Sequence, residues 1–209
     1  KNTTANGPTL SAGDLFGSSV ANMGDLDGNG FDDLAIGAPK DDEGGTDRGA
    51  VHIIYMKNNG FVSSSEEINS NTANGPDLDN VDRFGRSVEN IGDLDGDGVN
   101  DLAVGADKDD EGGTDRGAVH ILFMNSDATV KSTVEINSST ANGPDLDNED
   151  NFGRSVENIG DFDGDGVNDL AVGANLDDEN GFNRGVVHIL FMNTDGSVKS
   201  TVEINDSTT

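Results

Sequence analysis

The chain has 209 residues, 41 of them acidic and 12 basic, for a formal net charge of −29. Only 32% of residues are hydrophobic, 29 are glycine and none is cysteine. The charge argues against nucleic acid and anionic membrane as partners, no apolar run approaches the roughly 20 residues of a membrane span, and the lack of cysteine excludes disulfides, thiolate metal sites and cysteine nucleophiles.

So acidic a composition borders on the disordered class, and folding requires that something neutralise the acids. No signal-peptide pattern opens the chain, which reads as mature or excised sequence.

Three copies of one unit follow each other. Phe16-Gly17 recurs as Phe84-Gly85 and Phe152-Gly153, Asp25 as Asp93 and Asp161, and His52 as His120 and His188, always 68 residues apart. This divides the chain into units at 1–68, 69–136 and 137–209. Residues 73–137 and 141–205 differ at only twelve of 65 positions, whereas the first copy is more divergent.

In the second copy, residues 87–91 alternate as a short strand, and 93–101 form a loop of Gly and Asp. Residues 101–106 (DLAVGA) read as a buried strand, 107–117 as a polar loop and 118–124 (AVHILFM) as a strong strand. Residues 125–128 are a turn, 129–136 (TVKSTVEI) alternate as a half-buried strand, and 137–150 cross to the next copy. No segment carries a 3.6-residue apolar stripe. The pattern predicts an all-β repeat protein of four strands per unit, of the kind that stacks as propeller blades.

The chemistry lies in the nine-residue loops DLDGNGFDD (25–33), DLDGDGVND (93–101) and DFDGDGVND (161–169). Positions 1, 3, 5 and 9 carry oxygen-bearing side chains. Position 7 is apolar and offers only its carbonyl, and Gly at 4 and 6 lets the chain curl around a point. A hard divalent cation needs such an oxygen shell, and the carboxylates would repel one another without it. The predicted ligands are Asp25, Asp27, Asn29, the Phe31 carbonyl and Asp33; Asp93, Asp95, Asp97, the Val99 carbonyl and Asp101; and Asp161, Asp163, Asp165, the Val167 carbonyl and Asp169. Calcium (Ca2+), one ion per repeat and three in all, is favoured over magnesium because the shell is nearly all protein oxygen. An EF-hand is rejected: its bidentate Glu at position 12 is here Ile36, Val104 or Val172.

The stretch FGSSVANMGDLDGNGFDDLAIGAP (16–39) and its counterparts FGRSVENIGD and DGDGVNDLAVGA resemble the FG-GAP repeat, the blade unit of integrin α-subunit β-propellers. The Gly-Ala-Pro element at 37–39 becomes Gly-Ala-Asp and Gly-Ala-Asn in the later copies. The resemblance implies a β-propeller with calcium between the first two strands of each blade. It also implies an extracellular or cell-surface setting, and adhesion to a protein or glycan ligand rather than catalysis. The acidity, lack of cysteine and near-identical copies suit a secreted bacterial surface protein. Such propellers close with about seven blades, so three imply part of a larger array or, second, self-assembly with other copies.

The accessory propeller of a secreted phospholipase or polysaccharide-degrading enzyme is an alternative. A lectin is disfavoured by the absence of Trp and the single Tyr55. His52, His120 and His188 read as structural, and the paired acids of the loops at 40–49, 108–117 and 176–185 as a solvated surface. Arg48, Arg116 and Arg184 read as partners for acidic loops. Phe16, Phe84 and Phe152 read as core between blades. Asn2, Asn137 and Asn205 stand in glycan-acceptor sequons.

Overall fold

The computed structural model describes residues 6–178 and 181–208; Asn2, Glu179 and Asn180 lie outside them. Twelve strands form three four-stranded antiparallel meanders. The first contains β1 (Ser19–Gly24), β2 (Asp33–Ala38), β3 (Ala50–Lys57) and β4 (Phe61–Ile68), with a 3-10 turn at Asn58–Gly60. The second contains β5 (Phe84–Gly92), β6 (Asp101–Ala106), β7 (Ala118–Met124) and β8 (Val130–Ile136). The third contains β9 (Ser155–Gly160), β10 (Asp169–Ala174), β11 (Val186–Met192) and β12 (Val198–Ile204). These are the blades of a partial β-propeller. The first strands of consecutive blades, β1, β5 and β9, lie against one another. No described helix is long and apolar enough to cross a membrane.

The period-2 alternation of the strands decides which blade each side chain meets. Leu102, Val104 and Ala106 of β6 join Leu122 and Met124 of β7 in a core shared with Ile53, Tyr55 and Ile68 of the first blade. The opposite faces of the same strands send Ala103, Val119, Ile121 and Phe123 into a second core, with Phe152, Leu170, Val172 and Leu190 of the third blade. The middle blade is thus covered on both faces, and every residue of β6 and β7 is buried. On the third blade, Val187, Val202 and Ile204 are exposed, although Val119 and Ile136, the counterparts of Val187 and Ile204, are completely buried and Val134, the counterpart of Val202, is half-buried.

The Phe-Gly and Gly-Ala elements form the seam between blades. Phe84 makes an isolated parallel bridge to Gly49 of the preceding blade, and Phe152 one to Gly117. Ser19 Oγ donates to the Gly85 carbonyl at 3.1 Å and Ser87 Oγ to the Gly153 carbonyl at 2.8 Å. Phe84 also pairs with Ala106 ahead of a register shift, so β5 begins three residues before the predicted strand. Phe84 and Phe152 are core residues, but Phe16 is only half-buried, because no described blade covers it. All three rings meet the histidine of their own blade edge-on, at 5.4–5.5 Å between centroids.

Two expectations need correction. Among the described residues Arg48 and Arg116 form no ion pair with an acid; their Nε atoms donate to Asn80 Oδ1 (3.2 Å) and Asn148 Oδ1 (3.1 Å). Both Asn residues lie on linkers to the next blade, so these arginines dock linkers. Arg184 does meet an acid, Asp206. Asn137 is 7% exposed and its amide nitrogen donates to Glu135 Oε1, which closes this sequon to a glycan in the folded chain.

Candidate metal centre

Each nine-residue loop joins the first two strands of its blade. Gly24, Gly92 and Gly160 precede the loops at φ of 71°, 77° and 74°, in the left-handed region that Gly reaches without steric cost. The β1–β2 and β5–β6 registers shift at this point, which turns the chain out of the ladder and into the loop.

The carboxylates of positions 1, 3 and 9 converge. In each of the sets Asp25–Asp27–Asp33, Asp93–Asp95–Asp101 and Asp161–Asp163–Asp169, one oxygen per residue lies within 4.8 Å of the others. Position 9 anchors the group. Asp33, Asp101 and Asp169 have no exposed surface, and each carboxylate spans two segments of its blade. Asp101 Oδ2 accepts from the Leu94 amide at 2.9 Å and Oδ1 from the Met124 amide at 2.9 Å. Asp33 accepts from Leu26 and Met56, and Asp169 from Phe162 and Met192. Burial, opposed by these hydrogen bonds, pushes Asp101 up to about 6.

Positions 1, 3 and 5 curl the loop by accepting from its own amides. Asp93 takes Asp97 N and Gly98 N, and Asp97 Oδ1 takes Val99 N at 2.9 Å. In the first blade Asp25 takes Gly30 N and Asn29 takes Phe31 N. The position-5 carboxylates Asp97 and Asp165 also meet a lysine from the fourth strand. Lys131 Nζ donates to Asp95 Oδ2 at 2.5 Å and Asp97 Oδ2 at 2.7 Å. Lys199 does the same with Asp163 and Asp165. The lysine hydrogen bond holds Asp97 below the ordinary carboxylate range, and the two carboxylates raise Lys131. At the equivalent position the first blade has Ser63. The donor set that remains is oxygen alone, carboxylate-rich and on a Gly-hinged loop, and it fits a hard divalent cation.

Position 8, which carried no role in the sequence pattern, links the blades. Asn100 Nδ2 donates to the Met23 carbonyl at 3.0 Å and Asn168 Nδ2 to the Ile91 carbonyl at 2.9 Å. Asn90 and Asn158 continue the ladder, donating to the Asn22 and Asn90 carbonyls. In the first blade position 8 is Asp32, which instead accepts from Asn22 of its own blade.

The polar loops are less solvated than their composition suggests. Asp41, Asp109 and Asp177 are 3–5% exposed, each with an oxygen 3.7–3.8 Å from Nε2 of the blade's histidine. The histidines are buried in mid-strand, as their structural reading requires. Asp82 and Asp150, on the linkers beside these loops, are pushed up to about 7 and about 6, chiefly by burial.

The FG-GAP repeat family model matches residues 16–54, 84–122 and 152–190, three stretches of 39 residues that together exceed half the chain. Each runs from the Phe-Gly seam through the acidic loop into the third strand. Among curated proteins, the chain is 34% identical over 162 residues to integrin alpha-4 of Xenopus laevis, covering 78% of this chain and 14% of that protein. It is 31% identical over 162 residues to integrin alpha-11 of Mus musculus, covering 78% and 13%, and 34% identical over 167 residues to integrin alpha-PS2 of Drosophila melanogaster, covering 78% and 12%. The chain therefore spans about one seventh of the length of these relatives. With the pattern matched once in each sheet, at the seam and at the loop, the chain belongs to the FG-GAP repeat family.

Proposed function

We propose that the chain is a calcium-stabilised, extracellular β-propeller module that presents a binding surface for adhesion to protein or glycan. The observation that carries this reading is the recurrence, in all three blades, of carboxylates 1, 3 and 9 gathered within 4.8 Å around a buried position-9 anchor. Asp25, Asp27, Asn29 and Asp33 would hold the ion in the first blade, with the Phe31 carbonyl. Their counterparts in the later blades would be Asp93, Asp95, Asp97, Val99 and Asp101, and Asp161, Asp163, Asp165, Val167 and Asp169. A bound calcium ion would supply the positive charge that these protein oxygens coordinate, not chemistry on a substrate. Three ions bring the net charge from −29 to about −23.

The protein's own part is mechanical. Asp101 ties the loop start at Leu94 to Met124 on β7, so a loop closed around a cation also fixes the first strand against the third. Asn100 transmits that order to the preceding blade. Calcium binding is then partly folding free energy. The test is thermal unfolding with calcium and with chelator. A large drop in midpoint on chelation, reversed by calcium, supports the reading, and an unchanged midpoint contradicts it.

Exposed Val187, Val202 and Ile204 favour a second property, docking of a further blade. The equivalent face of the middle blade is where Phe152, Val156 and Leu170 pack. A second copy or a further part of a longer chain would bury the same face, and native mass spectrometry of the chain alone distinguishes them. A discrete oligomer indicates assembly between copies, and a monomer indicates blades supplied in the same chain.

A further inference from the structure

A second cluster recurs in every blade, away from the nine-residue loops. It consists of Asp14, Asp41, His52 and Glu67 in the first blade, Asp82, Asp109, His120 and Glu135 in the second, and Asp150, Asp177, His188 and Glu203 in the third. Of the neighbouring acids, Asp77 and Asp79 correspond to Thr9 and Ser11 in the divergent first copy, whereas Asp110 and Glu111 stand as Asp and Glu in all three. The four residues of the cluster do not vary.

In the second blade the parts come from four segments. Asp82 is on the linker entering the blade, Asp109 on the polar loop, His120 on β7 and Glu135 directly opposite it on β8. Asp82, Asp109 and Glu135 line a cavity of about 180 Å3 whose lining includes no lysine or arginine. One donor atom each of Asp109, His120 and Glu135 lies within 4.8 Å of the others. His120 Nε2 is 3.7 Å from Asp109 Oδ2, too far for a hydrogen bond.

Acidity alone would not make this a site, but two buried groups lack what burial demands. Asp82 is 2% exposed; Oδ2 accepts from the Asp79 amide at 2.6 Å, while Oδ1 has no hydrogen-bond partner. His120 is fully buried and neither ring nitrogen has a hydrogen-bond partner. In folded proteins the large majority of buried polar groups are paired.

We propose that a second cation site lies at the wall of this cavity, where Asp109, His120 and Glu135 converge on a divalent ion of the manganese type and Asp82, from the cavity lining, completes the shell. Such an ion accepts imidazole nitrogen beside carboxylate oxygen, whereas the all-oxygen loops suit calcium. Asp41, His52 and Glu67 converge in the same way in the first blade, and the third blade repeats the residues. The ion fastens the incoming linker to the polar loop and outer hairpin of its blade, so each blade holds two sites of different chemistry. This inference goes beyond the loop reading and stands apart from it.

The test uses the whole chain saturated with calcium and then titrated with Mn2+, followed by electron paramagnetic resonance. The expected result is up to three further Mn2+ ions per chain that excess calcium does not displace. Their echo-modulation spectra should carry nitrogen coupling, which the loops cannot produce because they contain no histidine. D82N and E135Q should each lower the count by one ion. Glu135 is only half-buried on an outer strand, so E135Q serves where D82N fails to fold. No Mn2+ uptake in excess calcium, uptake without nitrogen coupling, or a count unchanged in both variants would overturn the site. Loops that failed to bind calcium would leave this nitrogen signal intact, so the two readings fail separately.

Discussion

Gly105 and Gly153 meet backbone to backbone across the seam between the second and third blades. A Cβ on Gly105 would overlap the Gly153 carbonyl oxygen, a backbone atom that cannot swing aside. Gly37 and Gly85 repeat the contact between the first and second blades. Gly173, at the same position in the third blade, faces only the Ser155 hydroxyl. Gly105→Ala should therefore destabilise the chain by about 1–3 kcal/mol, the usual cost of overpacking. Gly173→Ala should cost clearly less, because the serine can rotate. Denaturant unfolding of the two variants side by side checks this, and equal losses would contradict it.

The lysines at the loops make the three sites unequal. Lys131 and Lys199 occupy two of the carboxylates that an ion would need, while the first blade has Ser63 instead. Lys131→Met should tighten calcium binding in the second blade, by about fivefold at most given how little exposed ion pairs contribute. Ser63→Lys should weaken the first site by a similar factor. Calorimetric titration at low and high salt checks both, and the differences should shrink as salt screens the lysine.

Tyr55 is the sole phenol of the chain and a clean optical probe. Burial, with Glu66, Asp127, Asp33 and Asp27 nearby, raises it to about 12. The folded chain then keeps this proton where the unfolded chain, titrating at about 10, has lost it. The contribution of Tyr55 to stability is therefore complete below pH of about 10 and falls away as pH rises towards about 12. Near-ultraviolet titration should place tyrosinate formation at about 12 in the folded chain; a midpoint near 10 with the fold intact would contradict this burial.

The strands were legible because alternation and turn residues mark them. The predicted 101–106 and 118–124 agree with β6 and β7 residue for residue. The loops were legible because their spacing is local. What lay hidden depends on pairing between distant residues. Met124 N completes Asp101 from 23 positions away, and Asn100 reaches Met23 from 77 positions away. The acids of the polar loops read as solvated because composition does not show that Asp41, Asp109 and Asp177 turn inward. One signal was available: each histidine is followed fifteen residues later by a glutamate, and a hairpin with a short turn at that spacing places the two side by side, as His120 and Glu135 are.

The central claim is that the nine-residue loops hold calcium and that the fold depends on it. Native mass spectrometry of the whole chain in calcium and after chelation, with thermal unfolding of the same samples, tests it most directly. The account predicts three calcium ions per chain, lost on chelation together with a marked fall in the unfolding midpoint. A chain that retains no calcium, or that unfolds at the same temperature with and without it, would contradict the account.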